Sequence, residues 1–192
     1  IKTFGRLLGW TPRVFSNDDL QAFANIAAQL GRMAAEFASA QVVAVLEDTS
    51  VLGDGVAPFA TAHKNLGTGG ALAEGTLGEL LKLMRSQRGL GGEGIAAVPK
   101  ALVVPPALEL TARKLVWSMG QPAFLQVAVE PRLTSATAFF LVADPGSVAA
   151  IAYTYGPGAT GPTIEVGKRR SFQGLGARAS LDFGAGWADY RG

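Results

Sequence analysis

The sequence predicts an α+β protein whose helices lie mainly in the first half of the chain and whose strands lie mainly in the second. Two segments, residues 17–47 and 76–89, repeat apolar side chains at intervals of three and four positions, which is the period of an amphipathic helix. From residue 123 onward, short apolar runs are separated by glycine and proline, a pattern typical of strands and turns. The sequence shows little βαβ alternation, which is a further argument for this class.

The first part of the chain predicts a strand followed by a long helix. Residues 3–15 favour an extended strand interrupted at Pro12. Ser16 and Asn17 then precede two aspartates, which supply acceptor oxygens and negative charge where a helix N-terminus needs them. The helix is expected from about Asp18 to Glu47. Its length of about 45 Å exceeds the diameter of about 30–35 Å expected for a compact domain of this size. We therefore expect it to be the axis of an elongated molecule, with other elements laid along it.

A loop and a second helix follow the long helix. Residues 49–75 are rich in glycine and hold the only histidine, His63. Thr76 and Glu79 stand at the spacing of a capping box, so they predict a helix start. Gly89 provides the expected end of this helix.

The second half of the chain predicts a strand and helix, followed by five strands. Residues 100–104 have the apolar character of a buried strand, and the helix is bounded by Pro106 and Gly120. The segment YGPGATGP, residues 155–162, is predicted to be an exposed hairpin tip. The five further strand candidates are AFLQVAVEP, ATAFFLVADP, IAYTY, TIEV and ARASLDF.

The composition restricts the class of protein. Of the 192 residues 48% are apolar and only 17% are charged, against about a quarter in average globular proteins. Either the core is well filled, or the surface is largely covered by copies of the same chain. A helix needs about 18–20 consecutive apolar residues to cross a bilayer, and the longest apolar runs are far shorter. A membrane protein is therefore not expected. The absence of cysteine excludes a disulfide scaffold and thiolate chemistry.

Candidate catalytic and metal-binding residues are few. His63 is expected to be a loop or packed histidine, because no Gly-x-Ser-x-Gly elbow accompanies it. Asp48 and Asp54 flank a turn in DTSVLGDG, which lacks the ligand pattern of a calcium loop. The run GLGGEG lacks the ending of a phosphate-binding loop. The sequence therefore predicts no cofactor and no metal site.

A carboxylate-dependent hydrolase is the alternative from another class of function. Such chemistry needs two carboxylates, and Glu109 with Glu130 or Asp144 are the candidates. The signal is not specific, because any chain with 15 acidic residues offers such pairs.

The net charge of +2 is too small to indicate a dedicated nucleic-acid-binding protein. Lys168, Arg169 and Arg170 form the one tight basic cluster. They are candidates for contact with phosphates or with acidic residues of a neighbouring subunit, and a solvated hairpin is the alternative. The larger aromatic residues are interpreted as core or interface side chains: Trp117, Trp187, Tyr153, Tyr155 and Phe172.

Taken in order, the segments resemble the major head subunit of Mu-like phages and prophages. That family is similar in fold to the Hong Kong 97-type major capsid proteins of tailed phages. The resemblance extends over nearly the whole chain and depends on the combination of its motifs. These motifs are NDDL, HKNLG, LVVPPALE and LDFGA.

The resemblance implies an arrangement of lobes. Residues 1–17 would be the return strand of an extended loop, and residues 18–98 would form the spine helix and following helix of a peripheral lobe. Residues 99–150 would build the axial lobe, and the strands in 151–192 would return to the peripheral lobe. The family's N-terminal arm and the outgoing half of that loop would precede Ile1.

The resemblance also implies a function without catalysis. The chain would assemble with itself into pentameric and hexameric capsomers and then into an icosahedral shell that encloses double-stranded DNA without sequence preference. A scaffold or a maturation protease would be further partners. The protein would belong to the virion and would pass through the cytoplasm of the bacterial host during assembly. A nonviral compartment shell of the same fold is an alternative.

Overall fold

The computed structural model describes residues 1–10, 20–120, 124–168 and 175–192. These residues contain both helices and strands, in agreement with the predicted mixture. The predicted continuation of the first strand to residue 15 and the helix start at Asp18 lie outside the described residues. The helices are α1 (Leu20–Leu46), α2 (Glu74–Arg85) and α3 (Glu109–Ser118), and the strands are β1 (Lys2–Trp10), β2 (Pro99–Val104), β3 (Gln126–Val129), β4 (Phe140–Ala143), β5 (Ile151–Tyr155), β6 (Thr163–Lys168) and β7 (Leu175–Trp187).

The chain divides into two compact units. The first consists of Ile1–Val42 and Tyr153–Ala185, and the second consists of Val43–Ala152 and Gly186–Gly192. Each unit contains one of the two sheets. The lobe boundaries expected from the sequence stay a prediction.

The sheet of the first unit is built around β7. Strand β1 pairs with β7 in antiparallel fashion from Lys2↔Phe183 to Trp10↔Leu175. Strand β6 pairs with it from Thr163↔Ser180 to Lys168↔Leu175, and β5 is also its neighbour. Because a strand has two edges, β5 and β6 share the edge opposite β1. The hairpin predicted at residues 155–162 is therefore wrong, since this segment joins two strands that both pair with β7.

Helix α1 packs on one face of this sheet. Alternate residues of β7 point toward the helix because side chains alternate between the two faces of a strand. Ala177 and Ala179 pack with Leu30, while Leu181 and Phe183 pack with Ala38. The 27 residues of α1 extend for about 40 Å, so the predicted long helix is present within the described residues.

The second unit places two helices against a three-stranded sheet. Strand β2 is central, with β3 parallel on one side and β4 antiparallel on the other. Helix α3 makes the crossover between the parallel strands β2 and β3, a connection that parallel pairing requires. Leu77 of α2 and Ala112 and Val116 of α3 form a core with Leu102 and Val104 of β2.

The ends of the two helices in the second unit follow the predicted signals in part. A 3₁₀ turn at Pro106–Leu108 leads into α3, and Gly120 beyond its end has a φ of 94°, as predicted from proline and glycine. Helix α2 begins at Glu74, two residues before the predicted start, and it ends at Arg85, so the predicted end at Gly89 is wrong. The Ala73 N–H donates to Thr76 Oγ1 at 2.9 Å, so the hydroxyl satisfies the cap from within the first turn.

Candidate functional site

The single histidine of the chain is buried in the second unit. Its Nδ1 lies 3.0 Å from the Pro58 carbonyl oxygen, and its Nε2 lies 2.8 Å from Asp54 Oδ2. Both partners are acceptors, so the ring satisfies both contacts only when both nitrogens carry a proton. Burial opposes the charged ring, but the Pro58 carbonyl and the Asp54 carboxylate outweigh it, and the pKa of His63 lies above 6.5. His63 is a packed histidine, as the sequence predicted.

The His63 ring is part of a polar network that connects three segments of the second unit. The Tyr190 ring stacks on it, with centroids 3.7 Å apart. Asn65 Nδ2 donates to the carbonyl oxygens of Pro58 and Tyr190 at 2.8 and 2.9 Å. Gln87 Nε2 donates to the carbonyl oxygens of His63 and Lys64, each at 3.0 Å. The network therefore fixes a loop, the residues after α2 and the last residues of the chain to one another.

A cleft of about 380 Å³ lies beside this network. Its walls are mainly apolar and include Leu80 and Leu83 of α2 and Phe139 near β4. Among its described lining residues the charged side chains are Glu79 and Arg191. Glu79 accepts hydrogen bonds from the Thr68 N–H at 3.0 Å and from its hydroxyl at 2.8 Å, so it anchors the loop before α2. Among the described lining residues the cleft thus holds no pair of carboxylate side chains.

The carboxylates proposed for a hydrolase are occupied by basic neighbours. Glu109 pairs with Arg113 at 2.8 Å on the same helix, and Glu130 pairs with Arg132 at 2.7 Å. The Arg132 side chain lowers the pKa of Glu130. A general acid in a glycosidase needs a raised pKa instead. The arrangement of these side chains therefore does not support acid catalysis by Glu130.

Asp144, the other candidate partner of Glu109, is also held in its ionised form. Its pKa is lowered first by the Gly146 N–H and then by Lys100, whose Nζ lies 3.2 Å from Oδ2. No group of three or more histidine, aspartate and glutamate side chains in the described ranges is placed to hold a metal ion.

The aspartates of the DTSVLGDG segment organise turns. Asp48 Oδ1 accepts a hydrogen bond from the Ser50 N–H at 2.9 Å, and Asp54 Oδ1 accepts one from the Val56 N–H at 3.0 Å. These are the bonds of aspartate-initiated turns. The interpretation of this segment as turn chemistry is confirmed.

The predicted basic cluster lies largely outside the described residues. The backbone of Lys168 ends β6 and pairs with Leu175, the first residue of β7. The Lys168 side chain and the whole of Arg169 and Arg170 belong to the part of the chain that is not described. Their role stays a prediction.

The outer face of α3 carries large apolar side chains that the sequence analysis did not connect. Leu110 and Trp117 are 66% and 73% exposed. They are seven positions apart, which places them on one side of a helix, with Lys114 between them. The signal was present in the sequence as this spacing. The sequence predicts that Trp117 is a core or interface side chain, and its exposure excludes the core.

The chain is similar to known phage proteins in sequence and in fold. The family described as phage capsid protein matches residues 1–192. A solved structure from Mycobacterium phage Che8 has a TM-score of 0.55 and 14% sequence identity to this chain, and the match covers 100% of this chain and 68% of that chain. At that identity the likeness concerns the fold alone. No curated protein matches the chain by sequence. No helix in the described ranges is both long and apolar enough to cross a membrane.

Proposed function

The chain belongs to the phage capsid protein family, and from this premise we propose that it is the major capsid subunit of a tailed phage or prophage. Membership in the family gives it a structural role in the virion. The proposal adds the Hong Kong 97-type fold and a relationship to the Mu-like head subunits. The observation that carries it is the family match across all 192 residues.

The architecture of each unit supports the proposed fold. In this proposal α1 is the spine of the peripheral lobe, and the four-stranded sheet on which it packs belongs to the same lobe. The sheet formed by β3, β2 and β4 belongs to the axial lobe. The lobes would lie in an elongated plate, which is a suitable shape for a tile in a thin shell.

The mechanism of such a subunit is the placement of complementary surfaces. Contacts between different patches of identical copies close into rings, which gives pentameric and hexameric capsomers. Capsomers then join into an icosahedral shell, in which many weak contacts add up to a stable particle. The exposed side chains of Leu110 and Trp117 support this proposal, because large apolar side chains in contact with water favour burial by a partner.

The proposed shell encloses double-stranded DNA, and the cluster Lys168, Arg169 and Arg170 is the candidate for non-specific contact with its phosphates. The same cluster could instead contact acidic residues of a neighbouring subunit. A scaffold or maturation protease would act during assembly in the host cytoplasm. In this proposal the protein carries out no catalysis and needs no cofactor.

Sedimentation of the protein in its full natural length tests the proposal. We expect most of the protein from expressing cells to sediment as large particles or as pentamers and hexamers. Nuclease-protected DNA in particles from phage-producing cells would support the DNA-enclosing role, whereas a protein cargo would support the nonviral compartment. A protein that stays monomeric at high concentration would refute the assembly proposal.

A further inference from the structure

The outer face of α3 is a continuous stripe with apolar ends and a basic centre. Leu110 lies three and four positions before Arg113 and Lys114, and Trp117 lies four and three positions after them, so the four residues share one side of the helix. The opposite side of the helix is filled by Ala112 and Val116, which are buried in the core of the second unit. Arg113 is paired with Glu109, whereas Lys114 has no ion-pair partner among the described residues. The stripe therefore offers apolar surface and one free positive charge.

A loop of the same unit has the complementary character. Residues 47–54, which we call the acidic loop, contain three carboxylates, and no basic residue occurs between positions 47 and 60. Val51 is 67% exposed in this loop. The Ser50 hydrogen bonds lower the pKa of Asp48, which is fully exposed and ionised at neutral pH. The acidic loop therefore offers an apolar side chain beside a negative charge.

The conformation of the acidic loop is fixed within its own unit. The Leu52 N–H donates to the Val56 carbonyl at 2.8 Å, and the Gly55 N–H donates to the Leu52 carbonyl at 2.9 Å. At the start of the loop, Glu47 accepts hydrogen bonds from the Thr134 N–H and hydroxyl, each at 2.9 Å. A preorganised loop loses little conformational entropy when it binds, so its exposed side chains are suited to a specific contact.

Helix α3 and Phe59, which lies after the acidic loop, pack on opposite faces of the three-stranded sheet. Helix α3 packs on the face of β2 that carries Leu102 and Val104. Phe59, which follows the acidic loop, packs on Phe140 with ring centroids 5.4 Å apart. Phe140 pairs with Val103, so its side chain belongs to the other face of the sheet. A contact between the outer face of α3 and the acidic loop joins different patches of two copies, so it repeats from copy to copy and forms a ring when the rotation between copies closes.

We propose that the outer face of α3 in one copy binds the acidic loop of a second copy, with Val51 against Leu110 and Trp117 and Asp48 near Lys114. The inference rests on the proposed function, because the partner is another copy of this capsid chain. A contact between two α3 faces is disfavoured, because it would bring Lys114 and its counterpart together. Tryptophan is enriched among the residues that dominate binding energy at interfaces, so we expect Trp117 to contribute most to the affinity of this contact.

Cysteine crosslinking tests the contact directly, because the chain has no native cysteine. A double variant, Val51→Cys with Leu110→Cys, is assembled in its full natural length and then oxidised. We expect a ladder of covalent oligomers that stops at pentamers and hexamers, since each copy links head to tail with the next. The matched control replaces Val51→Cys with Leu90→Cys, because Leu90 is 95% exposed and lies outside both surfaces. We expect several-fold less crosslinking in the control.

Three results would overturn the inference. Equal crosslinking in the test and control variants would remove the specific contact. Normal particles without a ladder would leave the proposed function in place and reject this contact. A natural chain that forms no particles or capsomers would refute the proposed function, and this inference with it.

Charge reversal gives an independent measurement of the same contact. Lys114→Glu is expected to raise the protein concentration needed for assembly by about tenfold, because it places a glutamate near Asp48 of the neighbouring copy. Lys82→Glu, an equal charge change at an exposed position of α2, is the matched control and is expected to assemble normally. Equal assembly of the two variants would contradict the contact with the acidic loop.

Discussion

At the scale of single residues, His63 gives the second unit a dependence on pH. Its ring faces the Pro58 carbonyl and the Asp54 carboxylate and stacks on Tyr190. The charged neighbour of that tyrosine is Arg191, whose guanidinium carbon is 5.1 Å from the Tyr190 ring. A pKa that is raised in the folded state means that the folded state binds the proton more tightly than the unfolded state. The stabilisation that protonated His63 provides is therefore complete below the unfolded histidine pKa of about 6.5, and it is lost as pH rises through the pKa of His63 in the folded state.

The stabilisation by the His63–Asp54 pair also has a lower pH limit. The His63 side chain lowers the pKa of Asp54, so the stabilisation that the ionised Asp54 carboxylate provides is lost as pH falls through its folded pKa. The two groups are both charged, and stabilise the fold together, between these two folded pKa values.

Replacement of the histidine tests this account. We expect the melting temperature of the natural protein to fall relative to that of His63→Gln as pH rises from about 6 to about 9. Glutamine keeps a polar side chain but does not titrate, so it serves as the reference for all other pH effects. Because the chain has one histidine, its proton NMR titration gives the folded pKa directly. A value at or below 6.5 would contradict the proposed protonation state.

The sequence could indicate this residue but not its partners. A lone histidine without a catalytic motif is expected to be a loop or packed histidine, and the burial of His63 confirms the packed alternative. Asp54 and Asp48 were recognised as turn residues because their hydrogen bonds are local. The stacking of Tyr190 joins residues from distant parts of the chain, and no local pattern encodes it.

At the scale of elements, the core of the second unit depends on alternate residues of β2. The side chains of Leu102 and Val104 are fully buried where β2 packs against helices α2 and α3. Truncation of a buried leucine removes apolar contacts and leaves a cavity, which costs more than the loss of transfer free energy alone.

We expect Leu102→Ala to lower the free energy of unfolding by about 2–5 kcal/mol, measured by urea denaturation. Leu90→Ala is the matched control at an exposed position, and its effect is expected to stay within about 0.5 kcal/mol. Similar losses for both variants would contradict the assignment of the core.

The basic cluster at the end of β6 can be tested without knowledge of its structure. We expect replacement of Lys168, Arg169 and Arg170 by alanine to reduce particle yield or DNA retention, because cations that contact phosphates or acidic neighbours are lost. A triple variant of Lys2, Lys82 and Arg85 to alanine removes the same charge elsewhere and serves as the control. Unaltered particles in the first variant would reject the role of the cluster.

Element prediction succeeded where the determining pattern is local. Within the described residues, α1 follows from its apolar period, and β5 covers the IAYTY segment from end to end. The start of α2 was missed because Thr76 acts from within the helix instead of preceding it. The hairpin at residues 155–162 was wrong because β5 and β6 pair with β7, and such pairing depends on contacts across the sheet.

At the scale of the whole molecule, the chain divides into two compact units, and it belongs to a family of capsid proteins. The low proportion of charged residues left two explanations open, a filled core or a surface covered by copies. Leu110, Trp117 and Val51 favour covered surfaces in the second unit, because they are large, apolar and exposed. The pairing of β1 with β7 could not be predicted, since it joins the two ends of the sequence.

Electron cryomicroscopy of the protein in its full natural length is the decisive test of the proposed capsid role. We expect closed shells built from fivefold and sixfold capsomers. Each subunit in the density should contain a rod of about 40 Å that corresponds to α1. A population of separate monomers, or of aggregates without rotational symmetry, would contradict the account.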